Sequence, residues 1–157
     1  MIELFSREPD GLKLSVPSDI TPIPIGESIA SLSAILLDDD YYQLLLQGKT
    51  VIDDYSVLEL EYVLIFKMRA WLDLTARKSN GETIDSRDIK KHKNDILRLM
   101  MYVMPDKRIE TPINIYGDVE EFLAKVSEES VNLKNLGIRS ISFKELLIRI
   151  EKLFVVV

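Results

Sequence analysis

FKMRAWLDLTARK, from Phe66 to Lys78, and DSRDIKKHKNDILRL, from Asp85 to Leu99, are the two stretches whose reading decides the fold. In the first, Leu60, Leu64, Trp71 and Leu74 fall along one helical stripe, and Lys67 occupies the gap between them. In the second, Ile89, Ile96, Leu99, Met100 and Val103 form the stripe, and the only histidine of the chain, His92, sits inside it. Both patterns predict amphipathic helices, the first from about Glu59 to Lys78. Burying a lysine amine or an unpaired imidazole is costly, so each is expected to have a partner or a function.

The punctuation around the two segments fits. Ser79-Asn80-Gly81 stops the first helix, Asp85 or Ser86 caps the second, and Pro105 marks its end. The loop between them is short, which predicts an antiparallel helical hairpin. Arg69, Asp73 and Arg77 are spaced for ion pairs along the outer face of the first helix.

Towards the N-terminus the pattern changes. Ile2 and Leu4, then Leu12, Leu14 and Val16, alternate with polar residues and predict two short strands joined through Pro9-Asp10-Gly11. Ile20 to Ile25 reads as a third extended stretch, and Pro22 and Pro24 confine it to a sheet edge. After Gly26, Ser28 is placed to cap a helix with Ile29, Leu32, Ile35 and Leu36 on its apolar side. Asp38-Asp39-Asp40 interrupts that helix and caps a second one through Leu46, ended by Gly48. Thr50 to Ile52 reads as a short strand.

Towards the C-terminus, Asp118 is expected to cap a helix with Val119, Phe122, Leu123 and Val126 on one face. Leu133 to Leu136, followed by Gly137, reads as a single turn. Ser142-Phe143-Lys144-Glu145 is a capping box that opens the last helix, whose stripe is Phe143, Leu146, Leu147, Ile150 and Leu153. Phe154 to Val157 should pack back on the body or form a contact surface. The class expected is α+β: two or three N-terminal strands followed by a mostly α-helical bundle. Residues 1–55 form the α/β segment and 56–157 the helical region, within one compact unit.

Composition excludes several chemistries. The chain has 157 residues, no cysteine and one histidine, so disulfides, thiolate zinc sites, cysteine nucleophiles and multi-histidine metal centres are ruled out. Its net charge of −6 opposes wholesale coating of nucleic acid. No apolar run is long enough to span a bilayer, and MIELFSREPD is not a basic-then-apolar leader; no membrane association and a cytoplasmic location are expected. Phosphate-loop, dinucleotide-binding, nucleophile-elbow and HExxH motifs are absent. For His92 the plain structural expectation is a core imidazole held by Asp88 or Asp95. For Lys67 it is a stem on the apolar face with the amine at the rim. Lys90, Lys91 and Lys93 form a basic cluster, and an RNA-binding role for it is the weakest of the alternatives.

The run Lys67-Met68-Arg69-Ala70-Trp71-Leu72-Asp73-Leu74, followed by Asp88 to Ile96, resembles the helical part of nucleotidyltransferase-like proteins related to the AbiEii toxins of abortive-infection and toxin–antitoxin systems. In that family a K-x-x-A helix follows the catalytic sheet; Lys67-Met68-Arg69-Ala70 matches it, and Lys91 to Asp95 loosely matches a second K-x-x-D type motif. The resemblance implies that the N-terminal strands are the tail of a nucleotidyltransferase sheet whose G-G/S turn and D-x-D strand lie upstream of this sequence. It implies metal-dependent transfer of a nucleoside monophosphate from a nucleoside triphosphate, with magnesium held by two upstream aspartates and Glu3. Lys67 and Asp95 would take the catalytic positions, and Lys67 with Lys93 would bind the nucleotide. Without the upstream ligands the chain alone is expected to be inactive and to bind no cofactor. The alternative is a non-catalytic helical protein-interaction module or homodimer, joined through the edge of the N-terminal sheet and the valine-rich C-terminus.

Overall fold

A computed structural model describes residues 4–7, 20–23 and 32–157. The protein is α+β, with strands first and a mostly helical remainder. It divides into two compact units, Met1–Gln47 and Gly48–Val157.

The first unit holds a three-stranded sheet in the order β1 (Leu4–Arg7), β3 (Leu32–Leu37), β2 (Ile20–Ile23), followed by α1 (Asp39–Gln47). β3 is central, parallel to β1 and antiparallel to β2. Pro22 stands in β2 opposite Ser33, on an edge strand, where a missing N–H is tolerated. The expected helix through Leu32, Ile35 and Leu36 is corrected: these residues form β3. A short apolar run carries little periodicity, and pairing on both sides of the strand decides it. Asp38 caps α1 as expected, its Oδ1 accepting from the Tyr41 N–H at 2.9 Å. Glu3, Ser28 and the predicted strand over Leu12, Leu14 and Val16, with its Pro9-Asp10-Gly11 turn, lie outside the described residues.

The second unit begins with a hairpin that the sequence reading saw only in half. β4 (Lys49–Ile52) pairs antiparallel with β5 (Tyr55–Leu58). The two residues between them, Asp53 (φ 48°) and Asp54 (φ 67°), both take positive φ, as a tight hairpin turn of the I′ kind requires. Aspartate tolerates that conformation better than most side chains. α2 (Leu60–Ser79) and α3 (Ser86–Leu99) follow. They run antiparallel, because Lys78 bonds Ser86 beside the loop while Lys67 meets Asp95 further from it. Gly81, at φ 92°, turns the chain after α2, and Asp85 caps α3 by accepting from the Arg87 N–H at 2.8 Å. A single 3₁₀ turn, Met100–Tyr102, ends the hairpin.

β6 (Ile109–Thr111), α4 (Ile113–Ser127), α5 (Phe143–Leu153) and β7 (Phe154–Val156) complete the unit. β7 returns to lie parallel to β6, with Val157 N donating to Thr111 O at 3.2 Å. Thr111 is the one buried polar residue among the described core, and its hydroxyl donates to Val155 O at 3.2 Å. Here the expected start of α4 is corrected. Asp118 is not its cap; the helix begins five residues earlier, after Pro112. Gly117 lies inside the helix, flanked by buried Ile115, Val119 and Phe122. The Leu133–Leu136 turn and its left-handed Gly137 (φ 82°) are as expected, and so is the Ser142–Glu145 capping box of α5.

The core lies where α2, α3, α4, α5 and β7 meet, filled by Leu64, Met68, Ile96, Phe122, Ile150 and Phe154 among others. Each such side chain contributes about 1.5–3 kcal/mol by leaving water. Among the described residues no helix is long and apolar enough to cross a membrane.

Candidate functional site

The inner face of α2 is Leu64, Ile65, Met68, Trp71 and Leu72, all buried. That stripe is turned slightly from the one expected, since Leu60 and Leu74 are only half-buried. Lys67 therefore stands at the margin of the buried face rather than within it. Its Nζ donates to Asp95 Oδ2 on α3 at 2.9 Å. The two side chains are 24% and 27% exposed. The pair clips the helical hairpin at mid-height, and solvent still reaches it.

Lys93, two residues nearer the loop and so on another side of α3, behaves differently. Its amine pairs with Glu129, just past the end of α4, and does not join Lys67. The structure thus brings Lys67 and Asp95 together and leads Lys93 away to another element. His92 is half-buried on α3; Asp95, one of the two carboxylates expected to hold it, is engaged by Lys67. Lys90 and Lys91 are exposed. Glu3, the expected metal ligand, lies outside the described residues, and among those described no group of three or more acidic or histidine side chains gathers to hold a metal ion.

Two charged partners were missed by the sequence reading. Asp118, mid-helix on α4, receives Arg69 of α2 at 3.3 Å, and Glu129 receives Lys93. Neither pairing has a local signal, because each joins residues far apart in the chain. Below these rim contacts Trp71 meets Phe122 edge to face, with ring centroids 5.2 Å apart and planes at 84°. α2, α3 and α4 are thereby held by apolar contact inside and by ion pairs at the rim.

The other feature is the β4–β5 hairpin. Opposite residues share a face, so the register places Thr50 with Val57 and Ile52 with Tyr55 on one side. Ile52 is 55% exposed, Tyr55 75% and Val57 40%. This is an apolar face turned to water. The signal for it was present in Thr50-Val51-Ile52-Asp53-Asp54-Tyr55-Ser56-Val57, two β-forming runs about a two-residue acidic turn, but Asp-Asp lacks the glycine that usually marks such turns. No protein-family model, curated protein or solved structure matches the chain.

Proposed function

We propose that the chain is a non-catalytic protein-interaction module that associates with a second copy through the β4–β5 hairpin. The exposed Ile52–Tyr55–Val57 face carries this reading. A two-stranded hairpin is marginally stable alone in water, and clustered exposed apolar side chains mark contact surfaces. The same face of a second copy supplies the missing layer, in a two-fold arrangement that requires no further partner. The charge pattern supports the non-catalytic part: Lys93, expected at the nucleotide, engages Glu129 instead. Sedimentation velocity at rising protein concentration tests it. The wild-type chain is expected to dimerise and an Ile52→Ser/Tyr55→Ser variant to remain a monomer with unchanged helical circular dichroism. A monomeric wild type at the highest attainable concentration, or a dimer indifferent to the substitutions, overturns it.

A second reading, the helical flank of a nucleotidyl-transfer site, is favoured by the Lys67–Asp95 contact, which that role requires. In it Asp95 fixes the Lys67 amine, which meets the phosphates of a magnesium–nucleoside triphosphate; RNA as acceptor stays within the same proposal. Calorimetric titration with magnesium–ATP discriminates. Binding that Lys67→Met abolishes supports the reading; no binding, or binding unaffected by Lys67→Met, removes it.

A further inference from the structure

Between the 3₁₀ turn at Leu133–Leu136 and the first turns of α5, the surface is concave. One shallow cleft of about 500 Å³ is lined by Leu133, Lys134, Ile138, Arg139, Ile141 and Phe143 among others. A second, of about 490 Å³, is lined by Met101, Ile141, Glu145, Ile148 and Arg149 with Ser140. Ile141 lines both, so the two clefts adjoin beside the N-terminal end of α5. The lining mixes apolar side chains with the cations Lys134, Arg139 and Arg149 and the acid Glu145.

The charge here is opposite to that of the protein. Residues 130–149 carry Lys134, Arg139, Lys144 and Arg149 against the single acid Glu145, a local balance of +3 (four less one) in a chain of net −6. Among the described residues, the cations of α2 and α3 at the candidate site, Lys67, Arg69 and Lys93, are held in ion pairs, whereas Lys134, Arg139, Lys144 and Arg149 enter none. The Glu145 carboxylate accepts from the Ser142 hydroxyl at 2.6 Å and the Ser142 N–H at 2.9 Å and faces Arg149 along α5, which leaves Lys134 and Arg139 as the lining cations with no acid among their described partners. That same capping box satisfies the Ser142 and Glu145 N–H groups at the start of α5.

We propose that these adjoining clefts bind a short acidic peptide segment of another protein, with apolar side chains against Ile141 and Phe143 and carboxylates against Lys134 and Arg139. Charge complementarity selects the sign of the partner, and the apolar part of the lining selects a peptide over a polyanion. A nucleic acid brings many phosphates into the repulsive field of a net −6 protein and has no apolar side chain to bury, whereas a short acidic segment meets only the local positive patch. The site is separate from the β4–β5 hairpin, so it stands whether or not the chain self-associates.

Selection of a random-peptide display library against the full-length protein tests the proposal, with a Lys134→Glu/Arg139→Glu variant as counter-target. Enrichment of sequences rich in Asp and Glu interspersed with Leu, Ile or Phe is expected. A synthetic peptide from that pool should bind the variant roughly tenfold more weakly or worse, and should weaken at high salt. Unchanged circular dichroism of the variant separates loss of binding from loss of fold. Enrichment of neutral or basic sequences, equal binding by the variant, or no enrichment overturns the proposal. So does a single-stranded oligonucleotide that binds more tightly than the best peptide and loses binding in the same variant.

Discussion

Thr75 sits one helical turn after Trp71 on α2, and neither its Oγ1 nor the Trp71 Nε1 has a hydrogen-bond partner among the described residues, although both atoms are buried. A buried hydroxyl without a partner costs roughly 1–3 kcal/mol. Thr75→Val keeps the branched shape and removes that cost, so urea unfolding should show a gain of about 1 kcal/mol. A loss of similar size would mean that water satisfies the hydroxyl in solution. A second residue-scale outcome concerns pH. Hydrogen bonds from the Ser142 hydroxyl and backbone hold the Glu145 carboxyl below its ordinary value of 4.5. The capping box therefore contributes its full stability above that value and loses it as pH falls through the lowered value of the folded state. The stability difference between wild type and Glu145→Gln should be largest near neutrality and shrink as pH falls below 4.5. Parallel urea midpoints across that range would contradict the assignment. Single residues also show how far local signals reach. Ser142 and Glu145 are three apart and announce their contact; Lys93 and Glu129 are not, and no local rule pairs them.

Glycines test the elements. At Gly48, between α1 and β4, a Cβ would overlap the ring of Tyr62 on α2. That phenol is packed against the turn, and burial, followed by the nearby Glu59 carboxylate, raises its pKa. Gly117 lies inside α4, where a Cβ would meet nothing within 4 Å. Gly117→Ala is thus expected to stabilise by about 1 kcal/mol, because alanine is the better helix former. Gly48→Ala should destabilise by roughly 1–3 kcal/mol, because a ring must shift. Thermal unfolding of the two variants in opposite directions is the check. The same Gly117 explains why α4 was placed too late from sequence: a glycine beside an aspartate resembles a helix start, and only the burial of Ile115 on its far side carries the helix across it. The long helices α2 and α3 were legible because twenty and fourteen residues of periodicity average out such local conflicts. β3, at six residues, is too short for periodicity to separate strand from helix.

At the scale of the whole molecule, β7 closes the second unit. Phe154 is almost fully buried beside α4 and α5, and its strand lies parallel to β6, Phe154 opposite Ile109 and Val156 opposite Thr111. Phe154→Ala should cost about 3–5 kcal/mol and lower the urea midpoint cooperatively, reported alike by helix and by Trp71 fluorescence. Loss confined to the C-terminal strand, with the Trp71 signal unchanged, would show that β7 is an appendage. The amino-acid sequence determined the α+β class, the helical hairpin, the edge position of Pro22 and the caps at Asp38, Asp85 and Ser142, because each depends on residues within a few turns of one another. Only the tertiary structure decided that Lys67 meets Asp95, that Lys93 turns to Glu129 and that the β4–β5 face is left in water. Those outcomes depend on how helices rotate and stagger when their apolar faces pack, and that is set by the summed burial of many side chains at once.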